Sequence, residues 1–199
     1  MENPQVYLIH DSFRKDRKEL FLKEIETQHI DSWVTMPAVK GPHKSYENIA
    51  QAHKNCIKKA MNENLDRVVI LEDDVLFVAP GAYKRFLELS ETLPPNWEVF
   101  VAGSYDYQKI GEYSDSIVKV SSFSGLHCYM VSRRYYKKFL ETNPKSHLDK
   151  LLRGALYMAV PMLALQHDTY SDNVKRVTNY NNTHLKRKNL WKGDKQTDL

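Results

Sequence analysis

Three consecutive carboxylates, Glu72, Asp73 and Asp74, stand inside an otherwise apolar run, RVVILEDDVLFVAP at 67–80. In an extended chain alternate residues share a face, which sends Glu72 and Asp74 one way and Asp73 the other. An uncompensated carboxylate inside a sheet costs several kcal/mol, so these acids need partners or an opening to solvent. The carboxyl edge of an open α/β sheet supplies both, because ligands bind in the crevice there. Hard carboxylate oxygens at such an edge suit Mg²⁺ or Mn²⁺, and a cation so held neutralises a diphosphate. The competing reading is an acidic triplet that merely starts a surface turn. With 7 glycines and no G-x-G-x-x-G or Walker pattern, a diphosphate has to be held by metal and basic side chains. Arg14 and Arg17 follow the first apolar segment, where the nucleotide-binding edge of such a sheet would lie; helix-surface arginines are the plainer alternative.

The elements that must carry these residues follow from periodicity. QVYLIH (5–10) reads as a first strand and RKDRKELFLKEIETQ (14–28) as a charged helix after it. Beyond the Pro/Gly-punctuated loop at 36–45, SYENIAQAHKNCIKKAMNEN (45–64) has Ile49, Ala52, Cys56 and Ala60 at helical spacing, with Ser45 as the expected N-cap. RVVILED is a buried strand, PGAYKRFLELSETL (80–93) a helix, and WEVFVAG (97–103) another strand. SIVKVSS (116–122) and LHCYMVS (126–132) follow at hairpin spacing, then helices over 133–143 and 147–156. The alternation predicts one α/β domain over 1–178, with a mostly parallel central sheet flanked by helices. From Asn179 the chain turns polar and basic, and 179–199 is expected to be a tail.

Composition sets the outer limits. The chain has 199 residues, 42% of them hydrophobic, enough for one domain with a real core. Its net charge of +4 is mild, and the basic residues are scattered without an RNA or DNA motif, so nucleic acid is not the expected partner. Cys56 and Cys128 lie among apolar residues without zinc-ligand spacing and are expected to be core thiols. The N-terminus lacks a basic segment followed by a long apolar one, which gives a cytoplasmic protein as the expectation. Lys186, Arg187, Lys188 and Trp191 in the tail are the candidates for peripheral contact with an anionic membrane.

A resemblance sharpens this reading. HKSYENIAQAHKNCIKKAMNENLDRVVILEDDVLF (43–77) resembles the central block of glycosyltransferase family 25, the lipopolysaccharide-biosynthesis and collagen-galactosyltransferase group. VYLIHDSFRKDRKELF (6–21), GLHCYMVSRRYYKKFLE (125–141) and VPMLALQHDTYSDN (160–173) are similar to its other segments. The resemblance implies a GT-A, Rossmann-like fold, a UDP-sugar donor, a Mn²⁺ or Mg²⁺ ion and a glycan or glycolipid acceptor. It implies transfer of a hexose, galactose or glucose, with inversion at the anomeric carbon. Asp74 would be the direct metal ligand, Glu72 or Asp73 would organise the ribose and the metal's waters, and His53 would pack beneath the donor. Asp149 matches the position of a late acid and is the first choice for general base, although a first-turn helix aspartate is the rival account. Asp168 is the second candidate for the base, and His167 a candidate metal ligand. A nucleotide-sugar or carbohydrate-binding protein of the same fold without turnover is the alternative function.

Overall fold

Strand β1 (Gln5–His10) owes its place at the centre of the molecule to Val6–Ile9, which are all buried. Helix α1 (Lys15–Thr27) lays Phe21 and Ile25 against it and leaves most of its charged residues in solvent, Arg17 and Glu24 being the partly buried ones. After β2 (Val34–Pro37), helix α2 (Ser45–Asn62) buries Ala50, His53, Ile57 and Ala60 along one stripe. Its N-cap is Lys44 rather than Ser45: the Lys44 backbone N–H donates to the Glu47 carboxylate at 3.0 Å, one arm of a capping box. Strand β3 (Arg67–Glu72) has Val68–Leu71 fully buried and stops at Glu72. Asp73 and Asp74 form a tight turn into β4 (Val75–Phe77). The strict alternation expected across the triplet therefore fails, because the chain leaves the extended conformation after its first acid.

Helix α3 (Ala82–Ser90) and β5 (Val99–Val101) come next, then β6 (Asp106–Ser114), β7 (Ile117–Ser124) and β8 (Cys128–Ser132). Helix α4 (Tyr136–Glu141), β9 (Leu156–Ala159), β10 (Ala164–Gln166) and the short pair β11 (Tyr170–Ser171) and β12 (Arg176–Val177) complete the order. The computed structural model describes residues 3–143, 145–171, 175–177 and 189–193. Eight strands make one sheet in the order β2-β1-β3-β8-β5-β9-β7-β6. β2, β1 and β3 pair in parallel, as do β5 and β9, while β8, β7 and β6 make antiparallel contacts. The outcome is a mixed α/β domain with helices on both faces. Side chains alternate across the sheet: Tyr7, Val68 and Ile70 face α2 and α4, whereas Val6, Leu8, Val69 and Phe100 face α1 and α3. Phe86 stacks flat on Phe100, with ring centroids 4.8 Å apart. Both cysteines are buried free thiols.

Two expected elements differ. The hairpin joins β6 to β7, not β7 to β8; β8 instead inserts between β3 and β5. The helix expected over 147–156 is a single 3-10 turn, Leu148–Leu151, after which β9 pairs with β5 and β7. Of the segment beyond 179, Asn189 and Trp191 exchange backbone hydrogen bonds with Met162, and the Trp191 side chain packs on the α3 face of the core. Lys186, Arg187 and Lys188 lie outside the described residues. No helix among the described residues is long and apolar enough to cross a membrane.

Close approach of β10 to the end of β5 fixes the edge that matters below. A Cβ added at Gly103 would stand 2.1 Å from the Ala164 carbonyl oxygen, and Leu163 donates its N–H to Ala102 at 2.8 Å. Gly103→Ala is therefore expected to cost at least about 2 kcal/mol, because a backbone carbonyl cannot swing aside as a side chain would. Urea unfolding of the variant checks this.

Candidate functional site

β1 and β3 run parallel and finish level, with Ile9 beside Glu72. Buried strands thus deliver a cluster of charge to one edge of the sheet. Asp73 accepts from His10 Nδ1 at 2.8 Å and from the Asp11 backbone N–H at 3.3 Å on one oxygen, and from Arg17 Nη1 at 2.8 Å on the other. The same Arg17 nitrogen lies 3.1 Å from Asp74 Oδ2, so one guanidinium spans both turn acids. Glu72 faces a different partner, His53 Nε2, at 3.0 Å. The second His53 nitrogen meets the Tyr129 hydroxyl at 2.8 Å. A carboxylate only accepts, so His53 donates from Nε2 and its Nδ1 accepts the Tyr129 proton. This buried Tyr129–His53–Glu72 chain fixes where the carboxylate points. Gln166, on β10, places its amide nitrogen 3.4 Å from Glu72 Oε2 and from both Asp74 oxygens.

The electrostatics are unbalanced. Burial raises the Asp74 carboxyl, and the charges of Glu72 and Asp73 raise it further, to about 7. Burial also works against ionised Glu72, but the His53 hydrogen bond and nearby His127 and Arg17 outweigh it and hold that carboxyl below its ordinary value. Burial opposes the Arg17 charge too, yet Asp74 and Asp73 overcome it and raise the guanidinium further. Of the three acids, Asp74 is thus the one whose charge its surroundings oppose. Two buried atoms beside it, Gln166 Oε1 and Arg17 Nε, have no hydrogen-bond partner among the described residues.

A cleft of about 420 Å³ opens over these groups. Arg14, Arg17, His53, Glu72, Asp73 and Asp74 line it. Asp149 lines it too. It is buried, with Oδ2 accepting the Gly125 N–H and Oδ1 the Lys150 N–H, both at 2.8 Å. A larger cavity of about 960 Å³ lies at the opposite end of the strands, near Gln5, Arg67 and Trp97, far from the acid triplet. The smaller one holds the acid triplet.

Two of the candidates are not brought into this cleft. His167 donates its backbone N–H to the Asp74 carbonyl at 2.7 Å, but its ring turns toward Glu24, 3.6 Å away. Asp168 is exposed and does not line the cleft. Arg14 reaches the site's edge, bound to Asp16 and, with Arg17, to the Tyr170 carbonyl. His10, Asp11, Tyr129 and Gln166 belong to the site although the sequence reading gave none of them a role. His10 and Asp11 had a signal, a His-Asp pair ending the first strand. Gln166 and Tyr129 lie in segments that carry the family resemblance, 160–173 and 125–141, but that resemblance gave neither a role, and distant strands bring them here.

A hard divalent cation fits the oxygens present. Asp74, Glu72 and the unpartnered Gln166 Oε1 are all hard oxygen donors. Among the described residues no three His, Cys, Asp or Glu side chains form a complete metal-holding group. A cation here needs further oxygens from its ligand, as Mg²⁺-type ions take from phosphates.

No protein-family model matches the sequence, and no curated protein matches it. Solved structures do. A glycosyltransferase involved in the glycosylation of the major capsid of PBCV-1 superposes with a TM-score of 0.51 at 11% identity, over 84% of this chain and 95% of that one. A197 from STIV superposes with a TM-score of 0.49 at 14% identity, covering 79% and 85% of the two chains. Mannose-1-phosphate geranyltransferase from Thermus thermophilus gives 0.47 at 10% identity, covering 80% and 74%. At such identities the likeness is one of architecture, and the chain has the mixed α/β, Rossmann-like fold of the capsid glycosyltransferase.

Proposed function

We propose that this chain is a metal-dependent glycosyltransferase of the family 25 kind, moving a hexose from a UDP-sugar to a hydroxyl of a glycan or glycolipid with inversion. The observation that carries the reading is the cleft itself. Three carboxylates at the end of β3 and a separate buried carboxylate, Asp149, line the same cleft. Arg14 and Arg17 pair with the diphosphate, and Asp74, with Glu72 beside it, would hold the cation. Mn²⁺ or Mg²⁺ would supply Lewis-acid stabilisation of the diphosphate. Asp149 takes the acceptor hydroxyl proton as the new C–O bond forms; the C–O bond to phosphate breaks and its electron pair leaves with UDP. The Tyr129–His53 pair keeps Glu72 oriented. Asp168, outside the cleft, is the reserve candidate for the base.

A thermal-shift panel tests donor and metal together. UDP-galactose and UDP-glucose are expected to raise the melting temperature with Mn²⁺ and to do little in EDTA, ahead of GDP- and CMP-sugars. A clear preference for a GDP-sugar, or equal shifts in EDTA, overturns the proposal.

A further inference from the structure

The cavity of about 960 Å³ at the opposite end of the strands takes no part in the chemistry above. It opens over the starts of β1 and β3, among the turn after α1, the residues before β5 and the end of β8. Side chains alternate along β3, so Arg67 falls on the α1 and α3 face with Val69 and Leu71, at the border of an apolar core. The walls of the cavity are apolar and aromatic, with Val6, Ile30, Leu65, Pro95 and Trp97. Trp97 is half-buried and fixed at its backbone. Its carbonyl accepts from Ser132 Oγ at 2.9 Å, and its N–H donates to the Pro94 carbonyl at 3.0 Å. The volume is that of a ligand pocket, for which about 300–1,000 Å³ is usual.

Polar groups on these walls hold N–H and O–H donors that the protein does not use. Tyr83, on α3, lines the cavity and is only 6% exposed, yet its hydroxyl makes no hydrogen bond among the described residues. A buried phenol left unpaired costs about 1–3 kcal/mol, which a ligand acceptor in the cavity recovers. Burial raises the pKa of this phenol and the Arg67 charge pulls against the rise, so the two groups are neighbours. Arg67 gives Nη2 to Glu91 at 2.5 Å, and its side chain makes no other ion pair or hydrogen bond among the described residues. The Arg134 side chain makes none. Arg133 is drawn to Asp66 at 3.4 Å and to the Leu65 carbonyl at 3.2 Å. Asp31 and Asp66 line the cavity too, so three guanidiniums stand against two carboxylates. The balance is positive.

We infer that this cavity is a second ligand site, separate from the acid-lined cleft, and that its ligand is an organic oxyanion, a phosphate or carboxylate carried on an aromatic body. The oxyanion accepts the Tyr83 proton and the unused N–H groups of Arg67, and Arg134 adds positive charge. Guanidinium donors suit both head groups, since each presents two or more oxygens in a plane or cone that the fork can meet. The aromatic body packs on Trp97 and the apolar walls. A neutral aromatic leaves the donors unused, and a bare anion leaves the apolar walls in water. Neither half suffices.

An NMR titration of the ¹⁵N-labelled full chain tests it, read at the Trp97 indole N–H, which Trp97→Phe assigns. Phenyl phosphate and benzoate are the probes, with benzyl alcohol and inorganic phosphate as controls. At least one probe is expected to shift the Trp97 signal saturably, and the tighter of the two names the head group. Each control is expected to bind at least about fivefold more weakly than that probe, because each offers half of the ligand. Tyr83→Phe and Arg134→Gln are each expected to weaken the probe at least about fivefold. Tyr83→Phe is also expected to keep the wild-type melting temperature, since the hydroxyl it removes has no partner in the described protein. Arg14→Gln, in the other cleft, is expected to leave the Trp97 titration unchanged. No saturable shift from either probe, full affinity in both the Tyr83 and Arg134 variants, or a control that binds as tightly overturns the inference. So does loss of the titration in Arg14→Gln, or a lowered melting temperature in Tyr83→Phe, which assigns the hydroxyl to the fold.

Discussion

Asp149→Asn is expected to lower kcat by at least about a hundredfold, the ordinary consequence of removing a general base. The dissociation constant for a UDP-sugar is expected to stay within a few-fold of wild type, because Asp149 is held by the Gly125 and Lys150 N–H groups and not by the arginines or the acid triplet. An inverting transfer needs its base on the face of the sugar opposite the departing diphosphate. The acids of the triplet are already engaged: Asp73 by His10 and Arg17, Glu72 by His53. Asparagine has one carbonyl oxygen where Asp149 uses two to accept the Gly125 and Lys150 N–H groups. A loss of about 1 kcal/mol in stability is expected to accompany the rate effect. Parallel measurement of turnover, donor affinity and melting separates the two. Asp168→Asn is expected to leave turnover near normal, since Asp168 is exposed and outside the cleft. If Asp168→Asn loses activity and Asp149→Asn keeps it, the base is Asp168; if both stay active, no carboxylate base operates.

What the sequence revealed, and what it hid, follows the range of the interactions involved. β3 was legible because a run of buried β-branched residues has few other uses, and the acids after it marked the sheet's edge without any knowledge of partners. Which way those acids point was not legible. That depends on the turn at Asp73 and Asp74, and on Arg17 and Gln166 arriving from α1 and β10. β6 was missed because DYQKIGEYS is mostly exposed and polar, and only its pairing with β7 makes it a strand. The helix expected at 147–156 is the reverse error. Leu148, Leu151 and Leu152 suit a helical face, but Gly154 sits at φ +143° and Glu98 captures the Ala155 N–H at 2.7 Å, pinning the next residues beside β5. Tertiary pairing overrode local pattern. Asp149 was therefore a candidate by type and by its match to a family position, while its environment, set by Gly125 in the loop before β8, was not legible.

Substitution of Asp74 is expected to move stability and binding in opposite directions. In metal-free protein the Asp74 carboxyl is raised from its ordinary 3.8 to about 7 by burial and by Glu72 and Asp73. A carboxyl raised on folding makes the folded state the better proton binder. Stability is then lost as pH climbs from the unfolded value through the folded one, and the loss is complete above it. Asp74→Asn carries no such charge. Its melting temperature in EDTA is expected to exceed that of the wild type at pH 8, with the difference fading toward pH 4. Arg17 is not stranded by the change, because Asp73 Oδ1 holds it at 2.8 Å, closer than Asp74 at 3.1 Å. The same variant is expected to lose the Mn²⁺-dependent part of UDP binding, measured by titration calorimetry, since it removes the carboxylate assigned to the cation. A residue kept only to anchor Arg17 behaves differently: its replacement lowers the melting temperature at pH 8 and leaves UDP binding in Mn²⁺ and in EDTA in the same ratio as before. A site that gains stability when its ligand charge is removed has been shaped for what it binds rather than for the fold that carries it.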